Sequence, residues 1–216
     1  RYFRYVTGFT VEPGSAVVTR VDSAVWQVIT PRGDVRVRYR IVLPPPPAPR
    51  ASWRPFLTPT GALLGGPHAF MYLLRAELMP ATVMLDVPKS WTTATGLTSQ
   101  GVRSFSAANA ATLMDSPILA GHLREWRFVE GGVPHRVVYW PNPNATPFDT
   151  TAFVSSIQRL VHRAFALFGR APYREYTFMF TDGAFSGGLE HRNSVTLGAQ
   201  SAELARDPNA FIQETA

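Results

Sequence analysis

Gly187-Gly188-Leu189-Glu190-His191-Arg192-Asn193-Ser194 lies near the end of the chain, between the apolar runs Tyr176-Thr177-Phe178-Met179-Phe180 and Val195-Thr196-Leu197. Adjacent glycines let a backbone turn sharply or approach a partner closely. A turn needs the glycines, but not the carboxylate, imidazole, guanidinium and amide that follow without a break. Two readings fit the cluster. Either it contacts a ligand, or Glu190, Arg192 and Asn193 satisfy one another within a turn, as ion-pair networks do. The apolar runs on each side read as strands, so this part of the chain is strand, motif, strand.

Upstream, Phe153, Ile157, Leu160, Val161, Ala164, Phe165 and Phe168 recur at helical spacing. Asp149, Thr150 or Thr151 can cap the start of that helix and Gly169 its end. His162 falls opposite the centre of the apolar stripe at about 100° per residue, which points it away from the core. Downstream, Asp207-Pro208 marks a second helix start, with Asp as N-cap and Pro at the first position. Pro141 to Pro147 has the composition of a linker.

Before that linker the chain reads as many short strands. Val35, Val37, Tyr39, Ile41 and Leu43 alternate with Arg36, Arg38 and Arg40, which puts the arginines on one solvated sheet face. Further strands are expected at Val25–Ile29, Ala69–Leu74, Thr82–Val87, Trp91–Leu97, Gly101–Phe105, Leu123–Val129 and Val133–Trp140. The turn Glu130-Gly131-Gly132 joins the last two. Pro44 to Pro49 is expected to be an extended connecting loop. The expected class is mainly β: a β-sandwich-like domain at 1–142, then an α+β segment at 147–216. Trp26, Trp91, Trp126 and Trp140 are expected in the core or on sheet faces.

Composition narrows the function classes. A hydrophobic fraction of 45% over 216 residues is enough to bury a sizeable core. There are no cysteines, which excludes disulfides and thiolate metal sites within the chain. The net charge of +6 comes from scattered arginines rather than a basic patch with stacking aromatics, so no nucleic acid partner is expected. No apolar run approaches the roughly 20 residues that span a bilayer, and no membrane partner is expected. The first residues carry neither an initiator Met nor a signal peptide, so the chain is expected to start inside a larger protein; its compartment stays open.

The Gly187–Asn193 run, preceded by Pro172-Tyr173-Arg174-Glu175-Tyr176-Thr177-Phe178, resembles the glycyl-aminopeptidase family of bacterial zinc metallopeptidases. Asp115-Ser116-Pro117 followed by Gly121-His122, and Trp91 through Gly96-Leu97, are similar to further segments of that family. The resemblance implies a β-rich N-terminal domain, a thermolysin-like catalytic domain and a C-terminal PDZ domain. It makes this chain an N-terminal fragment, with residues 147–216 the start of the catalytic domain.

In that family the zinc motif His-Glu-x-x-His lies on the helix that here would begin at Pro208. The chain contains no His-x-x-x-His, and two imidazoles need that spacing to reach one zinc from one helix face. Zinc is therefore expected in the parent and not on this chain, which is expected to be inactive alone and to lack catalytic residues. The missing catalytic and PDZ segments are its implied partners in cis. By resemblance, Gly187, Gly188 and Leu189 let a peptide pair along the loop, and Glu190 binds the α-amine of a substrate N-terminus. His191 supports the loop, and Arg192 and Asn193 either fix Glu190 or contact substrate. The alternative is a non-catalytic β-sandwich module that binds peptide or carbohydrate, with Trp53 and Phe56 as its surface.

Overall fold

The computed structural model describes residues 2–31, 33–43, 50–183 and 185–215. The Pro44–Pro49 run and Arg32 lie outside the described residues. The protein is mainly β, 42% strand and 22% helix, and it divides into two compact units, Arg1–Pro46 and Pro47–Ala216.

The first unit holds β1 (Val6–Glu12), β2 (Val17–Asp22), β3 (Val25–Ile29) and β4 (Arg36–Ile41). β1 pairs antiparallel with β4, and β2 with β3. Arg36, Arg38 and Arg40 are exposed, but so are Val35 and Val37 on the alternate positions, and Arg36 and Arg38 lie 3.6 and 3.5 Å from the Glu12 carboxylate. Trp26 stacks on Phe9 with ring centroids 4.9 Å apart.

The second unit begins with β5 (Arg50–Ala51), β6 (Phe56–Thr58), β7 (Gly61–Leu64) and the helical turn α1 (Gly66–Ala69). β8 (Ala81–Met84), β9 (Thr92–Thr95), β10 (Thr98–Gly101), β11 (Ser104–Ala107), α2 (Ala110–Asp115) and β12 (Ile118–Gly121) follow. Strands β6-β7-β12-β9 form one antiparallel sheet, and β10-β11-β8 a smaller one. Then come β13 (Arg124–Glu130), β14 (Val133–Trp140), α3 (Thr150–Phe168), β15 (Tyr176–Asp182), β16 (Phe185–Ser186), β17 (Gly188–Glu190), β18 (Ser194–Ala199), α4 (Ser201–Arg206) and α5 (Pro208–Thr215). They build a mixed sheet in the order β13-β14-β15-β18-β17. Its three central strands, β14, β15 and β18, are parallel, and β13 and β17 are antiparallel edges.

The sequence of β14 explains its central place. Val137, Val138, Tyr139 and Trp140 are all buried, which suits a strand covered on both faces. Val137 and Tyr139 pack with Phe153, Ile157 and Val161 of α3. Val138 and Trp140 pack with Phe56, Leu63 and Leu119 of the antiparallel sheet. The five-stranded sheet is thus a middle layer, with helices on one face and a second sheet on the other. α3 starts and stops where its sequence signals: Asp149 Oδ1 accepts the N–H groups of Thr151 and Ala152 at 2.9 Å each, and Gly169 ends the helix at φ 77°. His162 is exposed on α3 and reaches Glu130 at 2.8 Å.

The 141–147 run links β14 to α3, whose crossover returns the chain to β15 beside β14. Two readings are corrected. Ala69–Leu74 is not a strand: Ala69 closes the helical turn that begins at Gly66, and Leu73 and Leu74 are 71% and 57% exposed. Gly101–Phe105 is the tip of the β10–β11 hairpin. Arg103 there holds φ 61° while its guanidinium donates to the carbonyls of Val87, Pro88, Lys89 and Trp91 at 2.8 to 3.2 Å. Those four bonds fix a left-handed arginine that no local pattern announces.

Candidate functional site

Leu189 and its neighbours form β17, the edge of the five-stranded sheet, and all three residues of the strand are exposed. Gly187 is not in the strand; it turns into it at φ 73° and accepts the Gly198 N–H at 2.9 Å. His191 donates its N–H to the Ser194 carbonyl at 2.8 Å. Residues 187, 189 and 191 therefore face β18, and alternation turns the backbone N–H and C=O of Gly188 and Glu190 outward. An open edge of this kind can pair with an extended peptide. The Glu190 carboxylate makes no hydrogen bond or ion pair with the described residues and is solvent-exposed, not buried as substrate-amine binding by a closed pocket would have it.

The polar residues after Glu190 do not satisfy one another. The Arg192 N–H donates to Asp115 Oδ2 at 2.9 Å, and His191 Nδ1 lies 3.5 Å from Asp115 Oδ1. Asn193 Nδ2 donates to the Gly96 carbonyl at 2.9 Å, and its own carbonyl accepts the Thr177 N–H at 3.0 Å. The turn 191–193 is thus pinned to α2, to the end of β9 and to β15. This pinning positions Glu190 at the edge and makes His191, Arg192 and Asn193 supports of the loop. Asp115, 77 positions before Arg192, was legible only through the Asp-Ser-Pro segment; nothing in spacing points to it.

Phe56 is 2% exposed and packs against Trp140 and Phe185, so it is core and not part of a binding surface. Trp53 is 37% exposed and stands beside Gly187. No group of three or more His, Cys, Asp or Glu converges among the described residues.

Three histidines give the fold a pH dependence. Burial pushes the His135 imidazole below its usual range; the ring is fully buried and stacks on Phe128 at 4.9 Å. Burial also lowers His191, against the opposing pull of Asp115. Burial and then Arg54 bring His68 down to about 4. Each resists protonation when folded but accepts a proton near pH 6.5 when unfolded. Their stability contribution is complete above that pH and is lost as the pH falls toward the folded values. Glu125 adds to the loss at lower pH: burial alone would raise its carboxyl, but Arg136 and Arg127 hold it below the usual value. Urea unfolding is expected to show a midpoint that drops steadily from pH 7.5 to 5. A midpoint that is flat or rises over that range would contradict the buried neutral imidazoles.

Residues 1–122 match the Peptidase M61 N-terminal domain family. An aminopeptidase N family protein from Idiomarina loihiensis is similar in structure, with 25% identity and a TM-score of 0.82 over 94% of this chain and 35% of its own. The M1 zinc metallopeptidase from Deinococcus radiodurans shares the fold at 16% identity and a TM-score of 0.50, over 98% of this chain and 53% of its own. A mutant of that metallopeptidase matches at 17% identity and a TM-score of 0.50, over 89% and 50%. The chain spans between a third and about half the length of these proteins. No curated protein sequence matches it.

Proposed function

Its match over residues 1–122 makes this chain a member of the Peptidase M61 family through the N-terminal domain, and from that premise we propose that it is part of a zinc aminopeptidase that hydrolyses N-terminal peptide bonds. The chain supplies the β-rich N-terminal domain and the opening of a thermolysin-like catalytic domain. The family match ends at residue 122 and the five-stranded sheet begins at Arg124, so we set the join there and not at 142–147. Zinc, and the PDZ domain that the resemblance implies, belong to the longer protein. When bound there, zinc supplies an activated water.

The observation that carries this reading is the edge strand β17, with outward backbone groups at Gly188 and Glu190 and, at its end, a carboxylate unpaired among the described residues. A peptide laid along it would exchange backbone hydrogen bonds and present its α-ammonium to Glu190, a charge-assisted contact that an internal peptide bond cannot make. Gly188 and Glu190 offer the outward backbone groups of the pairing edge, and Gly187 and Leu189 hold that edge to β18. His191, Arg192 and Asn193, held by Asp115 and Gly96, keep Glu190 in place. The coding sequence past Ala216 tests the parentage: His-Glu-x-x-His is expected within a few residues, on the continuation of α5. Its absence from the helix that continues α5 would sink the proposal.

A further inference from the structure

Trp53 stands where β17 begins, and the function proposed above does not use it. A Cβ placed on Gly187 would lie 3.3 Å from Trp53 Cζ3 and 3.8 Å from Cη2, so the indole sits against the glycine that leads into the edge strand. Its position is fixed from beneath. Ser52 is fully buried, donates its N–H to the Ser186 carbonyl at 3.0 Å and donates its hydroxyl to the Thr196 carbonyl at 3.1 Å. β5 pairs in parallel with β16 through Arg50–Phe185 and Ala51–Ser186. Trp53 therefore follows directly from a segment tied to β16 and β18, the strands on either side of β17 in sequence. It nonetheless keeps 37% of its surface open to solvent. A large aromatic that follows a residue anchored by buried hydrogen bonds, and is left partly exposed beside a strand edge, has the features of a contact surface.

The geometry sets which part of a peptide it would meet. With the ammonium at Glu190, a peptide pairing antiparallel to β17 runs back toward Gly187 at about 3.4 Å per residue. Its first residue lies by Glu190, its third by Gly188 and its fourth by Gly187. We propose that Trp53 is a specificity-determining residue that packs on the fourth residue of a peptide docked on β17, the residue opposite Gly187, so that the site favours peptides long enough to reach it. This rests on the reading that β17 and Glu190 hold the amino end of the substrate.

The full-length protein carrying this sequence is assayed on Ala-Ala and on Ala-Ala-Leu-Leu, as wild type, Trp53→Ala and Trp53→Phe. In Trp53→Ala the KM for the tetrapeptide is expected to rise roughly five- to tenfold with kcat unchanged, while the dipeptide parameters stay as they were. Trp53→Phe restores most of the tetrapeptide KM. A second readout needs no turnover. In the 216-residue chain labelled with 5-fluorotryptophan, the fluorine resonance that disappears in Trp53→Phe is expected to move on titration with Ala-Ala-Leu-Leu and not with Ala-Ala. Equal effects on both substrates, an effect confined to kcat, or a fluorine signal indifferent to the tetrapeptide would overturn the subsite. Tetrapeptide cleavage that depends on Glu190 but not on Trp53 removes the subsite and leaves the proposed function standing. Absence of any N-terminal cleavage removes both.

Discussion

Phe153→Ala is expected to lower the unfolding free energy by about 3–5 kcal/mol, a large share of what a domain has to lose. Phe153 is fully buried in the first turn of α3 and lies edge-on to Phe180 at 5.0 Å, Phe148 at 5.4 Å, Trp126 at 6.1 Å and Tyr139 at 6.4 Å. These rings come from β13, β14, β15 and the link before the helix. Its removal therefore leaves a cavity that no single element can close. α3 is also the crossover that sets β15 parallel to β14, so loosening it loosens the sheet that carries β17. Phe168→Ala, on the same helix but 74% exposed, should change stability by no more than about 0.5 kcal/mol. Urea unfolding of the two variants decides the matter. A loss below about 1 kcal/mol in Phe153→Ala would mean that α3 does not cover this sheet.

What the sequence made legible follows from where each signal lives. Helix α3 was readable in its extent, because its stripe, its cap and its Gly169 stop are local features, although Leu160 within the stripe and Phe168 at its end are exposed. The Asp207-Pro208 start of α5 was readable for the same reason, and Asp207 Oδ1 accepts the N–H groups of Asn209 and Ala210. Strand content was legible from alternation, but strand partners were not, because pairing joins residues far apart in the chain. The composition break at 141–147 read as a linker, and prolines and asparagines mark any exposed link, including a crossover within one sheet. Ala69–Leu74 misled because an apolar run carries no information about whether a partner exists to bury it. At the candidate site, the residue types of Gly187–Asn193 stood out, and the structure puts β17 at the edge of its sheet. The anchors Asp115 and Gly96 came from distant segments, and only a fold can bring them to the turn.

Glu190→Gln carries the second large effect. The amide keeps the shape and hydrogen-bonding reach of the carboxylate but not its charge. The carboxylate is unpaired among the described residues, so the substitution breaks no structural contact and should leave folding intact. Its cost falls on the bound complex, where an ammonium would face a neutral group. The kcat/KM of the full-length protein for a free-amine peptide is expected to fall roughly a hundredfold. The most direct test of the account is the ratio of kcat/KM for Ala-Ala-Leu-Leu to that for its N-acetylated form, in wild type and in Glu190→Gln. The account expects a large preference for the free amine in wild type, most of which is lost in the variant. Equal cleavage of the two peptides by wild type, or an undiminished preference in Glu190→Gln, would contradict it.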